Sequence, residues 1–314
     1  MALTGNQMDV FEASMPRLKA IAYRLLGSAS DAEDAVQDTF LRWQAADIER
    51  IEVPEAWLTK VLTNLCLNQL TSARARRETY VGQWLPEPLL AGDPMLGPAD
   101  TVEQRESVSY AVLTLMERLS PNERAVYVLR EAFGYPHRRI AEILDITEAA
   151  GQQIFHRAKK HIASGRARAE VDEAATRRIV EEFLTAATSG RTEPLVRLLT
   201  ADAVAIGDGG GKVPARAKAF EGALAVAKFM RGLFTPGKAK RAIAGGSAAI
   251  HITSVNGHPA IVAVVDGRLI GITCLEITAD GIAALRSQVN PDKLEHANRR
   301  WAATDHGEPL FHAF

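Results

Sequence analysis

Cysteine is almost absent. The 314 residues contain Cys66 and Cys274 alone, far apart and without ligand spacing, which excludes a disulfide scaffold and a zinc site of the CxxC kind. No metal and no cofactor are expected. An excess of one charge is missing too: Lys and Arg total 37 against 38 for Asp and Glu, a formal net charge of −1. The whole molecule is therefore no generic polyanion binder, and any affinity for nucleic acid must come from local basic patches. Long apolar runs are also lacking. The longest, Pro259–Ile277, is broken by Asp266, Gly267 and Arg268 and does not read as a membrane span. The opening MALTGNQMDVFEASM has no basic segment followed by an apolar core, so no signal peptide is read. The expectation is a cytoplasmic protein with no membrane partner.

What is present is a 47% apolar content, enough for proper cores, on a length that suggests two or three domains. Val10 to Arg77 reads as helical, with breaks near Gly27–Ser30 and Asp47–Pro54. Residues 79–102 are rich in Pro and Gly and read as a linker, although Trp84 and Leu85 are apolar for one. Helical patterning resumes over 103–168. Ser120-Pro121-Asn122-Glu123 gives a clear helix start. Glu173–Ser189 and Glu193–Leu199 read as helices. Strands are expected at Ala203–Gly207, Ala248–Val255, Ala260–Val265, Leu269–Ile277 and Ile282–Val289, with hairpin turns at Asn256-Gly257 and Asp266-Gly267. The chain thus divides into a helical domain at 9–78, the linker, a second helical domain at 103–168, an α+β domain at 172–294 and a tail at 295–314.

Three helices carry the functional signal. In Asp31–Trp43, Ala32, Ala35, Val36, Thr39, Phe40 and Trp43 form one buried stripe. The other face shows Asp34, Gln37, Asp38, Leu41 and Arg42, and Ser30 with Glu33 has the spacing of a capping box. A solvated surface helix is the plain alternative. Beside basic helices, however, such a carboxylate face suits a basic protein surface.

Tyr135–Ile162 fits a helix-turn-helix, with Asp145-Ile146-Thr147 as the turn. Ala150, Ile154, Ala158 and Ile162 face inward in the second helix, and Ala149, Gln152, Gln153, His156, Arg157 and Lys160 face outward. Gln and Arg near the front of such a helix suit base edges in the major groove, and Lys159, Lys160, Arg166 and Arg168 suit phosphates. A helical hairpin with a solvated basic face is the alternative. Gly151 weakens the helix by about 1 kcal/mol relative to Ala.

Pro54–Arg77 is the third. Trp57, Leu58, Val61, Leu62 and Leu65 read as its buried side, and Lys60, Asn64, Asn68 and Thr71 as a polar stripe ending in Arg74, Arg76 and Arg77. This is a groove-facing stripe with a phosphate clamp, or a helix whose basic end satisfies its dipole.

In this order the pieces resemble a bacterial sigma factor of the extracytoplasmic-function group, with helical regions two and four joined by a linker. DAEDAVQDTFLRW resembles the region-two helix that docks on the largest subunit of RNA polymerase. The resemblance makes Asp34, Gln37, Asp38, Leu41 and Arg42 the core-binding set. PEAWLTKVLTNLCLNQLTSARAR resembles the −10 reader, which implies DNA contacts from Lys60, Asn64, Asn68, Arg74, Arg76 and Arg77 and a base-pocketing loop at Asp47–Glu55. LSPNERAVYVLREAFGYPHRRIAEILDITEAAGQQIFHRAKKHI resembles region four, the −35 reader, implying contacts from Gln152, Gln153, His156, Arg157 and Lys160. Gly151 stands where an apolar residue is usual. The largest and second-largest polymerase subunits and promoter DNA are the implied partners.

WLPEP at 84–88, DGGGK at 208–212 and NPDKL at 290–294 resemble three signatures of such factors carrying a fused SnoaL-like domain. The resemblance implies a cone of curved antiparallel sheet backed by helices, regulating the factor in cis, with room for an unidentified small ligand. A P-loop is rejected, because Val213 follows Lys212 where Ser or Thr is needed. The three motifs read instead as a docking surface, with Asp208 and Lys212 pinning the linker or the NPDKL segment. Its set is Trp84, Pro86, Glu87, Asp208, Gly210, Lys212, Asn290, Asp292 and Lys293. The basic stretch Lys212–Arg241 reads as a solvated face, with DNA or an acidic helix as its other use. An enzyme acting through Asp208, His251 or Asp266 is the competing function, but these form no acid–base constellation. A repressor-like DNA binder would leave the acidic helix unexplained.

Overall fold

The computed structural model describes residues 5–78, 80–163, 173–216, 218–235 and 237–313. It divides into two units, Met1–Thr79 with Gly92–Arg166, and Tyr80–Ala91 with Ala167–Phe314.

The first unit is helical. Helices α1 (Gly5–Leu26), α2 (Ala29–Ala45) and α3 (Pro54–Glu78) pack around Leu18, Ile21, Leu25, Ala32, Val36, Trp43, Leu58 and Leu62. The Trp43 indole N–H donates to the Gln7 carbonyl at 3.1 Å. The N-cap of α2 is Ser28, whose hydroxyl accepts from the Asp31 amide at 3.0 Å. Ser30, expected to cap the helix, already lies inside its first turn.

Helices α4 (Val102–Glu106), α5 (Tyr110–Met116), α6 (Pro121–Tyr127), α7 (His137–Leu144) and α8 (Glu148–Ala163) follow, and α6 runs on as a π-helical turn at Val128–Ala132. Ser120 and Glu123 make both halves of a capping box. Thr147 caps α8 by accepting from the Ala150 amide at 3.2 Å.

A buried arginine stitches the two helical groups. Arg24 is fully buried and donates to the Leu96 carbonyl at 2.6 Å, the Met95 carbonyl at 3.3 Å and the Ser107 hydroxyl at 2.8 Å. Burial lowers its pKa to about 10, so it stays charged at neutral pH. The Arg124 guanidinium donates in turn to the Arg24 carbonyl at 3.2 Å.

The second unit contains α9 (Glu173–Thr188), α10 (Glu193–Leu198), β1 (Leu199–Asp208), β2 (Phe220–Glu221), α11 (Ala223–Phe234), α12 (Lys238–Ala244), β3 (Ala248–Val255), β4 (His258–Val265), β5 (Arg268–Thr278), β6 (Gly281–Gln288), α13 (Glu295–Ala302) and β7 (Phe311–Ala313). The strands order as β2-β1-β6-β5-β4-β3-β7, antiparallel except for the parallel β1–β6 pair. One sheet face meets α9 and α11 in a core of Val180, Phe183, Val226, Met230, Ile250, Ile261, Leu275 and Leu285. Strand alternation turns Asp208 and Gln288 to the other face. The fold class is thus two helical regions and a C-terminal α+β domain of the SnoaL-like kind.

The expected boundaries differ at two places. The expected tail 295–314 is not detached over its described residues, 295–313: α13 packs on β5, and β7 pairs with β3 from Ala248 to Ile250. The expected linker 79–102 is split. Tyr80–Ala91 belongs with the sheet domain because Leu85, Leu89 and Leu90 bury their side chains there, while Gly92 onward belongs with the helices.

Candidate functional site

On α2 the apolar stripe is buried apart from the half-buried Phe40, which packs on Phe11 at 4.8 Å between ring centroids. Asp34, Gln37, Asp38, Leu41 and Arg42 are exposed together on the opposite face. Leu41 is 54% exposed, a large apolar group ringed by polar ones.

On α3, Asn64 is half-buried and Asn68 exposed. Lys60 is engaged within the helical unit: its ammonium donates to Asp145 Oδ1 at 2.5 Å and to the Glu142 carbonyl at 3.0 Å. The side chains of Arg74, Arg76 and Arg77 lie outside the described residues. The loop before α3 and the end of α7 enclose an open cleft of about 590 Å³, lined by Asp47, Arg50, Val53, Trp57 and Lys60 on one side and Arg139, Glu142 and Ile143 on the other.

On α8, Gln152, Gln153, His156, Arg157 and Lys160 are all exposed. The buried side runs through Gly151, Ala158 and Ile162, whereas Ala150 and Ile154, expected inside, are half-buried. The helix is rotated so that Gly151 faces Ile146, whose Cδ1 would lie 3.8 Å from an added Cβ. Arg157 approaches Glu123 at 3.9 Å, and Lys159 meets Glu131 at 3.0 Å.

The three C-terminal motifs meet around one carboxylate. Asp208, at the end of β1, has no solvent exposure. Its Oδ2 accepts from the Leu85 amide at 2.9 Å and from the Lys293 ammonium at 2.7 Å, and its Oδ1 accepts from the Tyr80 hydroxyl at 2.6 Å. Lys293 also donates to the Leu85 carbonyl at 2.7 Å and sits 4.6 Å and 4.4 Å from the ring centroids of Tyr80 and Trp84. A desolvated ammonium between two aromatic faces and a carboxylate is held by charge, hydrogen bonds and cation–π attraction at once. Burial and the neighbouring Asp208 push the Tyr80 phenol pKa up, so it remains a donor. Gln288 donates to the Pro86 carbonyl at 3.3 Å, and Asn290 donates to the Tyr80 hydroxyl at 2.9 Å. Glu87 is buried in the same segment.

Gly210 explains part of DGGGK. Its amide donates to Asp208 Oδ1 at 3.1 Å, its φ is +59°, and an added Cβ would fall 2.2 Å from the Asn290 amide nitrogen. Lys212 reaches Asp292 rather than the linker, at 2.6 Å in an exposed pair. Downstream, Leu89 exchanges hydrogen bonds with Asn256: its amide donates to Asn256 Oδ1 and its carbonyl accepts from the Asn256 amide, both at 2.9 Å. The Ala91 amide donates to the Ser254 carbonyl at 3.1 Å. The linker therefore covers the end of the β3 edge that β7 leaves open.

The sequence family described as Sigma-70 region 2 matches residues 10–76, and that described as Sigma-70, region 4 matches residues 109–162. The ECF RNA polymerase sigma factor SigJ of Mycobacterium tuberculosis is 36% identical over 295 residues, covering 91% of this chain and 93% of that protein. This chain belongs to the extracytoplasmic-function sigma factors. The probable ECF RNA polymerase sigma factor SigI of the same species is 31% identical over 281 residues, covering 88% of this chain and 90% of that one. The crystal structure of Mycobacterium tuberculosis SigJ matches with a TM-score of 0.71 at 32% identity, over 91% of this chain and 98% of that chain.

The function of this sigma factor is promoter-specific transcription initiation with core RNA polymerase. Among the described residues no helix is long and apolar enough to cross a membrane, and no cluster of His, Cys, Asp or Glu is arranged to hold a metal. The residues named for the enzyme alternative lie apart in function. Asp208 is committed to the linker, Asp266 is exposed in the β4–β5 turn, and His251 packs edge-on against Trp301. Tyr80, Gln288 and Asn256 were not foreseen in the docking cluster. Asn256 carries a turn signal that masks its second use, and Tyr80 stands just ahead of the Pro-rich motif with no local pattern to mark it.

Proposed function

We propose that the C-terminal domain regulates this sigma factor in cis by gripping the segment that joins its two promoter readers. The observation that carries this reading is the buried Asp208 carboxylate bonded to the Leu85 amide, Tyr80 and Lys293. Tyr80–Ala91 is the covalent connection between region two and the rest of the helical unit. Whatever tightens or loosens its seat changes how freely the two readers can separate along a promoter. The role needs bonds and charge, not reaction chemistry, and it places the protein in the cytoplasm with its polymerase.

In this reading Asp34, Gln37, Asp38, Leu41 and Arg42 dock on core polymerase. Lys60, Asn64, Asn68, Arg74, Arg76 and Arg77 serve the −10 element, and Gln152, Gln153, His156, Arg157 and Lys160 serve the −35 element. Exposure of the first set on one face of α2 supports its share. The test is co-assembly with purified core of the variant carrying Asp38→Lys and Leu41→Ala. Loss of the complex with an unchanged circular-dichroism spectrum is expected, and full retention would contradict the assignment.

A further inference from the structure

Helix α13 meets the linker clamp at one end and a histidine cluster at the other. Lys293 stands two residues ahead of Glu295, the first residue of the helix, and reaches Asp208 Oδ2 at 2.7 Å. The Asn290 carbonyl fixes this end by accepting from the Lys293 and Leu294 amides, both at 3.1 Å. Midway along, Asn298 exchanges two hydrogen bonds with Leu269 of β5. The Leu269 amide donates to Asn298 Oδ1 at 2.8 Å, and Asn298 Nδ2 donates to the Leu269 carbonyl at 3.2 Å. An α-helix keeps its hydrogen bonds within itself, so these eight residues, about 12 Å long, move as one body.

Trp301 lies buried in the last turn of α13. The His306 ring stacks on its indole with centroids 3.3 Å apart and planes inclined by 2°, and His306 Nε2 lies 2.8 Å from the Trp301 carbonyl. His251 of β3 meets the same indole edge-on at 5.3 Å. Beyond His306 the chain returns to β3: the Leu310 amide donates to the Ile250 carbonyl at 2.8 Å, and β7 pairs with Ala248 to Ile250. Trp301 is thus held between an imidazole of the sheet and an imidazole of the returning chain.

The ionisable groups bearing on His251 are mostly bases. His306 and His312 oppose its charging, while Glu308 and the His306 backbone favour it. Across the strand pair β4 puts the apolar Val262 opposite it, and α13 puts the Trp301 indole there. Desolvation is the largest influence, and with the two histidines it holds the His251 pKa below the ordinary value. A base with a depressed pKa stabilises its contacts while neutral. That stability is present above the ordinary histidine pKa of about 6.5 and is lost as pH falls below it.

We propose that the His251–Trp301–His306 cluster is an acid-sensitive latch on α13, and that charging His251 weakens the hold of Lys293 on the linker. The proposal rests on the reading that the C-terminal domain grips the linker, and it names a condition that loosens the grip. A charged His251 is opposed by His306 and His312, so the Trp301 end of α13 moves off β3. The helix turns about Asn298 and draws Lys293 away from Asp208.

The test follows amide hydrogen exchange of the full-length protein at pH 7.5 and pH 5.5, with each rate divided by the intrinsic rate at that pH. In the wild type, protection at Leu85, Leu89 and β7 should fall about fivefold at the lower pH. His251→Phe keeps a ring edge-on to Trp301 that cannot charge, and its linker should keep the pH 7.5 protection at pH 5.5. His306→Gln removes the second imidazole and should leave a smaller loss than the wild type shows. An unchanged wild-type linker at pH 5.5 overturns the proposal. So does a β7 that loosens while Leu85 and Leu89 stay protected, because the latch would then not reach the clamp. An equal loss in His251→Phe and wild type also overturns it, since another group would be titrating. If the exchange results are as expected but transcription by a chain truncated after Arg168 matches wild type, the latch stands and the regulatory reading falls.

Discussion

Lys60 of α3 and Asp145 at the turn between α7 and α8 form an ion pair at 2.5 Å. Asp145 occupies the left-handed C-cap of α7, so its carboxylate is presented at a fixed place. A lysine proposed to contact DNA is thereby held by the turn before α8. For Lys60 to touch a phosphate this pair must break. Asp145→Ala should therefore raise the affinity of the protein for single-stranded −10 DNA. The pair is partly exposed, worth up to about 1 kcal/mol, so the gain should be at most roughly fivefold. Fluorescence anisotropy with a labelled strand measures it, and weakened binding would count against the competition.

Asp208→Asn keeps the shape of the linker clamp and removes its charge. Lys293, 11% exposed, would then sit beside two aromatic rings without its counter-ion. Breaking one side of a buried pair costs roughly 3 kcal/mol. Amide exchange at Leu85 and Leu89 should accelerate sharply. Lys212→Glu should do less, because its pair with Asp292 is exposed and worth about 1 kcal/mol or less. Equal protection in wild type and D208N would remove Asp208 from the centre of the clamp.

Much of this site was legible in local pattern and the rest was not. The apolar stripe of α2, the Ser120 capping box and the Asn256-Gly257 turn each lie within a dozen residues and obey helix or hairpin periodicity. Tyr80 with Asp208, and Leu89 with Asn256, are joined across more than a hundred residues by hydrogen bonds that no periodicity encodes. Strand β7 has three residues, too short to alternate visibly, and exists because β3 offers it an edge. Ser28 and Ser30 offer the same hydroxyl, and only the backbone position decides which one caps α2.

Gly151→Ala should stabilise α8. The site is helical, and the new Cβ would lie in ordinary contact with Ile146 Cδ1 at 3.8 Å. The helix propensity difference predicts a gain of about 1 kcal/mol, visible as a raised thermal midpoint. A lowered midpoint would mean that Ile146 leaves no room for the added methyl group.

Acid should weaken the C-terminal domain. Burial, followed by the nearby Arg286, holds the His258 pKa below its usual value. For His251, burial and then His306 lower it, with His312 acting in the same sense and Glu308 opposing. A base whose pKa is depressed in the fold favours folding when neutral. That stability is present above the ordinary histidine pKa of about 6.5 and is lost as pH falls below it. The domain's thermal midpoint should drop between about pH 7.5 and pH 5.5, and His258→Gln should flatten that dependence. An unaltered slope in the variant would shift the effect to His251.

The most direct test of the central claim is in-vitro transcription with purified core, comparing wild type, Asp208→Asn and a chain truncated after Arg168 at matched core occupancy. If the C-terminal domain governs the readers through the linker, both altered proteins should differ from wild type severalfold and in the same direction. Identical output from all three at equal occupancy would contradict regulation in cis.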